Sequence, residues 1–129
     1  MYDKFEQLLN DFGAKRPSEK TPLGPVYYIN EHPVRLIPGE MEGIHWMDIQ
    51  IGLPRFRLEN LESAKKVLQA NREMGSATPI PTWFGLGDKQ DHLVFINRLD
   101  WRHVDARVLE DHILRCIEQM GQALMTEGV

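Results

Sequence analysis

An α+β domain built on an antiparallel sheet packed by helices is the fold class that the sequence predicts, in the order α-β-β-β-α-β-β-α. Three observations lead there. Strand-like runs fall into two groups, each joined by short, turn-rich links of the kind that connect antiparallel neighbours. Helical patterns stand at both ends and once in the middle instead of alternating strictly with strands, which argues against a doubly wound nucleotide-binding sheet. Finally, 129 residues can close one hydrophobic core but not two, so residues 1–129 are predicted to form a single domain.

Phe5, Leu8, Leu9 and Phe12 recur at three- and four-residue steps, so Tyr2 to Phe12 is predicted to be a short amphipathic helix, ended by Gly13 and Pro17. Residues 13–25 contain Pro17, Pro22, Gly24 and Pro25 and have the composition of a loop. Three runs rich in β-branched and aromatic residues follow, Val26–Ile29, Val34–Ile37 and Ile44–Ile51. They are parted by Asn30-Glu31-His32-Pro33 and Pro38-Gly39-Glu40 and read as an antiparallel meander. In the third run Ile44 and Trp46 share a face with Asp48 and Gln50, while Met47, Ile49 and Ile51 share the other with His45. Both faces carry apolar groups, so one of them needs a cover other than water.

Leu61, Ala64, Leu68 and Asn71 mark one side of a second helix over Leu61–Met74, with Asn60 placed to cap its start and Gly75 to end it. Thr78–Leu86 returns to strand character, but Pro79 and Pro81 donate no backbone hydrogen bond, which keeps its beginning at an edge or outside the ladder. A hairpin connection over Gly85–His92 leads into Leu93–Ile96, apolar on both faces. Leu109, Ile113, Cys116, Ile117, Met120 and Leu124 trace the stripe of the longest helix, about Ala106 to Met125, with Asp105 as its N-cap.

Composition narrows the function classes. Hydrophobic residues make up 42% and charged residues 26%, with a formal net charge of −4, the proportions of a chain that folds. The acidic balance offers no basic stripe to neutralise phosphates, so no nucleic-acid partner is expected. The single cysteine, Cys116, excludes an internal disulfide and suits a reducing compartment, so a cytoplasmic location is expected. Asp3, Lys4, Glu6 and Asp11 interrupt the N-terminal apolar residues, unlike a signal peptide, and no stretch approaches the length of a membrane span, so no membrane insertion is expected.

Chemistry-bearing patterns are sparse. His32, His45, His92, His103 and His112 are scattered, and none pairs with another at the helical spacing that aims two imidazoles at one metal. Cys116 sits inside the apolar stripe of the last helix, where a thiol packs as a small core residue. Gly85-Leu86-Gly87 lacks the third glycine and the following helix of a phosphate cradle. No cofactor, no metal and no catalytic residue are expected. What stands out is apolar: Trp46, Trp83, Phe84, Phe95 and Trp101 fall in or beside the strands, more than a one-sided sheet of this size needs, which favours burial against another chain.

The stretch from Leu61, with Val67-Leu68-Gln69-Ala70-Asn71 closing a helix, then Thr82-Trp83-Phe84-Gly85-Leu86-Gly87, Leu93-Val94-Phe95-Ile96-Asn97-Arg98-Leu99, and Val104-Asp105 before a final helix, resembles the class I type III secretion chaperones, the Tir-chaperone family. The resemblance covers roughly residues 55 to 125 in motif and the whole chain in element order, size and acidity. It departs at the proline-rich loop from Pro17 to Pro25 and at Pro79 and Pro81. It implies a non-enzymatic bacterial cytoplasmic protein, a homodimer that holds the N-terminal segment of a secreted effector without ATP. It further implies an extended effector segment whose apolar side chains enter grooves formed by the first helix and the sheet.

On that basis the effector-binding candidates are Phe5, Leu8, Leu9 and Phe12 from the first helix and Val26, Tyr28, Leu36, Trp46 and Ile49 from the meander. The dimer candidates are Leu61, Ala64 and Leu68 of the second helix and Trp83 of the neighbouring strand. Two other expectations compete: a small ligand-binding or catalytic domain with a pocket lined by Trp46, Trp83 and a histidine, or an adaptor or regulator of a cytoplasmic protein. A deep closed pocket with convergent polar groups favours the ligand-binding reading; shallow apolar grooves favour a protein partner.

Overall fold

The computed structural model describes residues 3–22, 24–39, 43–77, 80–87 and 92–124. Its elements run α1 (Asp3–Gly13), β1 (Ser18–Thr21), β2 (Gly24–Ile29), β3 (His32–Pro38), β4 (Trp46–Arg57), α2 (Leu61–Ala77), β5 (Thr82–Leu86), β6 (His92–Asp100) and α3 (Ala106–Ala123). All six strands join one sheet in the order β1-β2-β3-β4-β6-β5, and every neighbouring pair is antiparallel. The fold is α+β, with three helices and one strand more than the sequence predicts.

The additional strand is β1. Ser18–Thr21 lies in the stretch with loop composition, yet it pairs residue for residue with Gly24–Tyr27. Three of its four residues are exposed, so no apolar alternation announces it. Backbone pairing to β2 recruits this segment, without help from side-chain burial.

Other boundaries shift for local reasons. Only Asn30 and Glu31 form the β2–β3 turn, with φ of 48° and 68°, the geometry that matches the right-handed twist of the flanking strands. β4 continues past Ile51 to Arg57, and α2 runs through Gly75 to Ala77, because a helical glycine costs about 1 kcal/mol relative to alanine but does not oblige a stop. The caps form as expected. The Ser63 N–H donates to Asn60 Oδ1 at 2.9 Å, and the Val108 N–H donates to Asp105 Oδ1 at 2.8 Å. Pro81 lies one residue ahead of β5 and, with no N–H of its own, joins β6 only through its carbonyl, which accepts from the Arg98 N–H at 3.0 Å. Tyr2, Thr78, Pro79, Met125 and the 88–91 part of the hairpin connection lie outside the described residues.

The pleat sends Met47, Ile49, Ile51 and Leu53 of β4, Val34 and Leu36 of β3, and Leu93 and Phe95 of β6 to one face. There they merge with Phe5, Leu8 and Phe12 of α1, Val67, Ala70 and Met74 of α2, and Leu109, Ile113, Cys116 and Met120 of α3. All three helices therefore cover the same face. A fully buried large side chain is worth ~1.5–3 kcal/mol relative to leaving it exposed, so this face carries most of the stability. Arg16 helps to seat α1 on α3. Its Nε donates to the Phe12 carbonyl at 2.5 Å, its guanidinium lies 3.9 Å from the Phe12 ring centroid, and it reaches Glu110 of α3 at 3.6 Å.

Candidate docking surfaces at the first helix and on the open sheet face

Pairing between β2 and β3 stops at Tyr27 opposite Val34, although both strands continue, to Gly24 and to Pro38. Pro25 accounts for the break. The Tyr28 N–H donates to the Pro17 carbonyl at 3.1 Å, so by alternation Tyr27, Ile29 and position 25 turn their backbone groups towards β3. A proline there has no N–H to give. On the other side of the gap the Gly39 N–H donates to the Trp46 carbonyl at 3.0 Å. The same alternation then turns the N–H and carbonyl of Leu36 away from β4 and into the gap. With α1 closing one side, the gap becomes a groove of about 400 Å³, walled by Phe5, Glu6 and Leu9, by Gly24 and Pro25, and by β3 from Arg35 to Pro38.

Of the nine effector-binding candidates, Phe5, Leu9 and Leu36 line this groove, Phe5 and Leu36 as core residues that show it only an edge, at 3% and 8% exposure, and Leu9 half-buried. Leu8 and Phe12 do not. At 5% and 0% exposure they belong to the core, Phe12 packing edge-on against Tyr27 with ring centroids 5.1 Å apart. Ile49, also fully buried, lies in the same core. The four-residue stripe of α1 is thus mostly absorbed by α3 and the sheet, and polar replacement of Leu8 and Phe12 attacks the core, not a grip. Helical periodicity identifies an apolar face, but what covers that face is decided by tertiary packing. The sequence reading missed Pro25 as the residue that opens the groove; a proline beside the start of a predicted strand was the available signal.

Val26, Tyr28 and Trp46 emerge on the opposite face of the sheet, where no described helix packs. That face also carries Ile37, Asp48, Gln50, Gly52, Trp83, Val94, Ile96 and Arg98 by strand alternation. Arg98 Nε donates to Asp48 Oδ1 at 2.8 Å, and its guanidinium lies 5.0 Å from the Trp46 ring and 5.6 Å from the Trp83 ring. The two indoles and the ion pair form a flat shelf, with Trp46 39% and Ile37 38% exposed. Towards the other end of β4 the surface sinks into a hollow of about 160 Å³ between Val26, Pro33, Arg35, Gln50 and Val94, floored by Gly52. A Cβ on Gly52 would stand 2.6 Å from Pro33 Cγ, so glycine is what allows the Pro33 ring to approach β4 this closely.

The four dimer candidates fall on two surfaces. Leu61 and Leu68 lie exposed on α2, at 70% and 69%, with Ala64 half-buried beside them. Trp83 points to the open sheet face and away from that helix. Asn71 of α2 instead closes the outer edge of β5: its Nδ2 donates to the Phe84 carbonyl at 3.2 Å, and its Oδ1 accepts from the Phe84 N–H at 2.6 Å.

The buried polar groups form a structural chain. His112 Nε2 lies 2.6 Å from Asn97 Oδ1 and 3.6 Å from Cys116 Sγ, while Asn97 Nδ2 donates to Thr82 Oγ1 at 2.7 Å. Because the Asn97 oxygen must accept, His112 Nε2 carries the proton and cannot also take one from the thiol. Burial pushes the Cys116 thiol up to about 12; burial first, and the charge of Arg115 second, lowers the pKa of His112. The chain ties β5, β6 and α3 together and does not activate a nucleophile. Among the described residues no group of three or more histidine, cysteine, aspartate or glutamate side chains is arranged to hold a metal ion, and no helix is long and apolar enough to cross a membrane. No family model matches the chain, and no curated protein matches it either.

Proposed function

We propose that the chain is a non-enzymatic holding chaperone of the type III secretion kind, a bacterial cytoplasmic homodimer that grips the N-terminal segment of a secreted effector without ATP or any cofactor. The observation that carries this reading is the groove beside α1. It combines apolar walls from Phe5, Leu9 and Leu36 with a β3 backbone turned towards a ladder that Pro25 leaves unmade. An extended segment suits such a place, because main-chain groups give affinity while alternate side chains find pockets. Holding requires only that the unfolded segment bind more favourably than it remains free, so no nucleotide energy is needed.

Co-expression with the product of the adjacent gene, followed by limited proteolysis, tests the proposal. The expected result is a protected N-terminal segment of that product, captured equally with and without ATP. Leu9→Asp, at a half-buried groove position that also packs against the core, should weaken capture about tenfold or more when measured well below its own thermal melt, as truncation of an interface anchor does. Undiminished capture by that variant, or no protected segment at all, overturns the reading.

A further inference from the structure

We infer that the hollow over Gly52 is a carboxylate pocket whose occupant is an acidic side chain of the extended segment held beside α1. The inference rests on the holding function proposed above and names a residue type that the held segment must carry. Arg35 connects the two places, because it borders both the groove beside α1 and the hollow on the open face. Strand alternation sends Leu36 to the α1 side and Arg35 to the other. A strand that pairs with the Leu36 backbone, in the gap left by Pro25, obeys the same alternation. Its residue beside Leu36 turns towards Phe5 and Leu9, and the next one along turns towards Arg35. Cross-strand neighbours on one face stand about 5 Å apart, and opposite charges there stabilise the pair. An apolar residue next to an acidic one is the pattern that fits.

The lining of the hollow selects the ligand. Among the described residues that line it, Arg35 carries the charge and no carboxylate is present. Asp48, the acid of β4, is already held by Arg98 at 2.8 Å, and Glu6 lines the groove, not the hollow. The local field therefore favours an anion. Arg35 is itself engaged within the chain, but a guanidinium has five donors in a fixed fork and can take a further acceptor. Gln50 stands opposite Arg35 in the β3–β4 register, so its amide donors lie beside that fork. Fork and amide together answer the two oxygens of a carboxylate. A phosphate brings further oxygens, and Val26, Pro33 and Val94 offer them no donor. Cavities of about 150 Å³ hold benzene, so a hollow of about 160 Å³ has room for an Asp or Glu side chain with its stem against the apolar wall.

Sodium propanoate, the side chain of glutamate without its backbone, probes the hollow with no effector present. In NMR spectra of the whole chain it should shift the Gln50 side-chain amide signals saturably, with a dissociation constant in the millimolar range expected of one charged pair. Propanamide should leave them in place, and inorganic phosphate should bind about tenfold more weakly or worse. Arg35→Gln should abolish the response; if that variant does not fold, Arg35→Lys, which keeps the charge and loses the fork, should weaken it about tenfold. No response to propanoate, an equal response to propanamide or phosphate, or a response undiminished in these variants overturns the inference. A second arm uses the segment protected in the proteolysis experiment above. That segment should carry Asp or Glu next to an apolar residue, and its change to Asn or Gln should weaken capture about tenfold, with no further loss in the Arg35 variant. Capture indifferent to those acids overturns the inference and leaves the holding function standing. Propanoate binding by a chain that protects no segment overturns the holding function, and with it the occupant named here, while the carboxylate pocket stands.

Discussion

The two faces of this sheet are drawn from the same strands and both are apolar, yet they differ in cover. On one, Met47, Ile49, Ile51 and Phe95 are fully buried under three helices. On the other, Ile37, Trp46 and Trp83 keep substantial contact with water. The contrast shows that alternation along a strand sets how many faces want burial, while the number of helices sets how many receive it within one chain. Three helices on a six-stranded sheet cover one.

The largest expected effect probes that difference directly. Phe95→Ala should cost about 3–5 kcal/mol in urea unfolding, because the cavity sits where the structure cannot collapse. Ile37→Ala should cost less than about 1 kcal/mol at high dilution. Equal penalties would erase the distinction between the faces.

A middle-sized effect belongs to Asn71, which joins the covered side to the sheet edge. Asn71→Ala leaves the Phe84 N–H and carbonyl without their side-chain partner, which should cost about 1–3 kcal/mol. Urea titration measures that cost, and light scattering should rise as the edge becomes available for pairing.

The smallest effect is a pH slope from His112. Its pKa is lowered in the folded chain, so the unfolded chain binds the proton first as the pH falls. Its contribution is therefore fully present above about 6.5, the ordinary histidine value, and is lost on descending through the folded pKa, no more steeply than about 1.4 kcal/mol per pH unit. Thermal melts between pH 8 and 5 should show this slope, and His112→Gln should flatten it. A second decline belongs to Asp100, whose carboxyl is held at about 2, first by its side-chain hydrogen bond with Arg102 and then by the Arg102 backbone N–H; that decline begins only below the ordinary carboxylate range.

Elements with strong periodicity were legible in the sequence. The stripes of α1, α2 and α3, the caps at Asn60 and Asp105, and the start of β5 just after Pro81 all follow from local chemistry. β1 was not legible, because Ser18–Thr21 owes its pairing to a neighbour and not to its own pattern. The excess of apolar groups on the strands was also legible, but their division between the faces depends on register, and so Trp46 and Ile49 could not be assigned before the pairing was known. Of the groove, Leu9 and Leu36 were within reach of the sequence; the gap itself depends on which backbone side position 25 presents, a fact of register alone.

The Asn71 clamp also governs how far association can run. A sheet with two open edges can add strands indefinitely, each newcomer presenting a fresh edge to the next. Here the central outward position of β5 is occupied by a side chain of the same molecule, and among the described residues no strand pairs with the outer edge of β1, so β1 is the edge that stays available. Two copies that pair through β1 therefore end in a β5 edge on either side, each with its central outward position already taken. Such a pair closes on itself along the hydrogen-bonding direction instead of seeding a fibre.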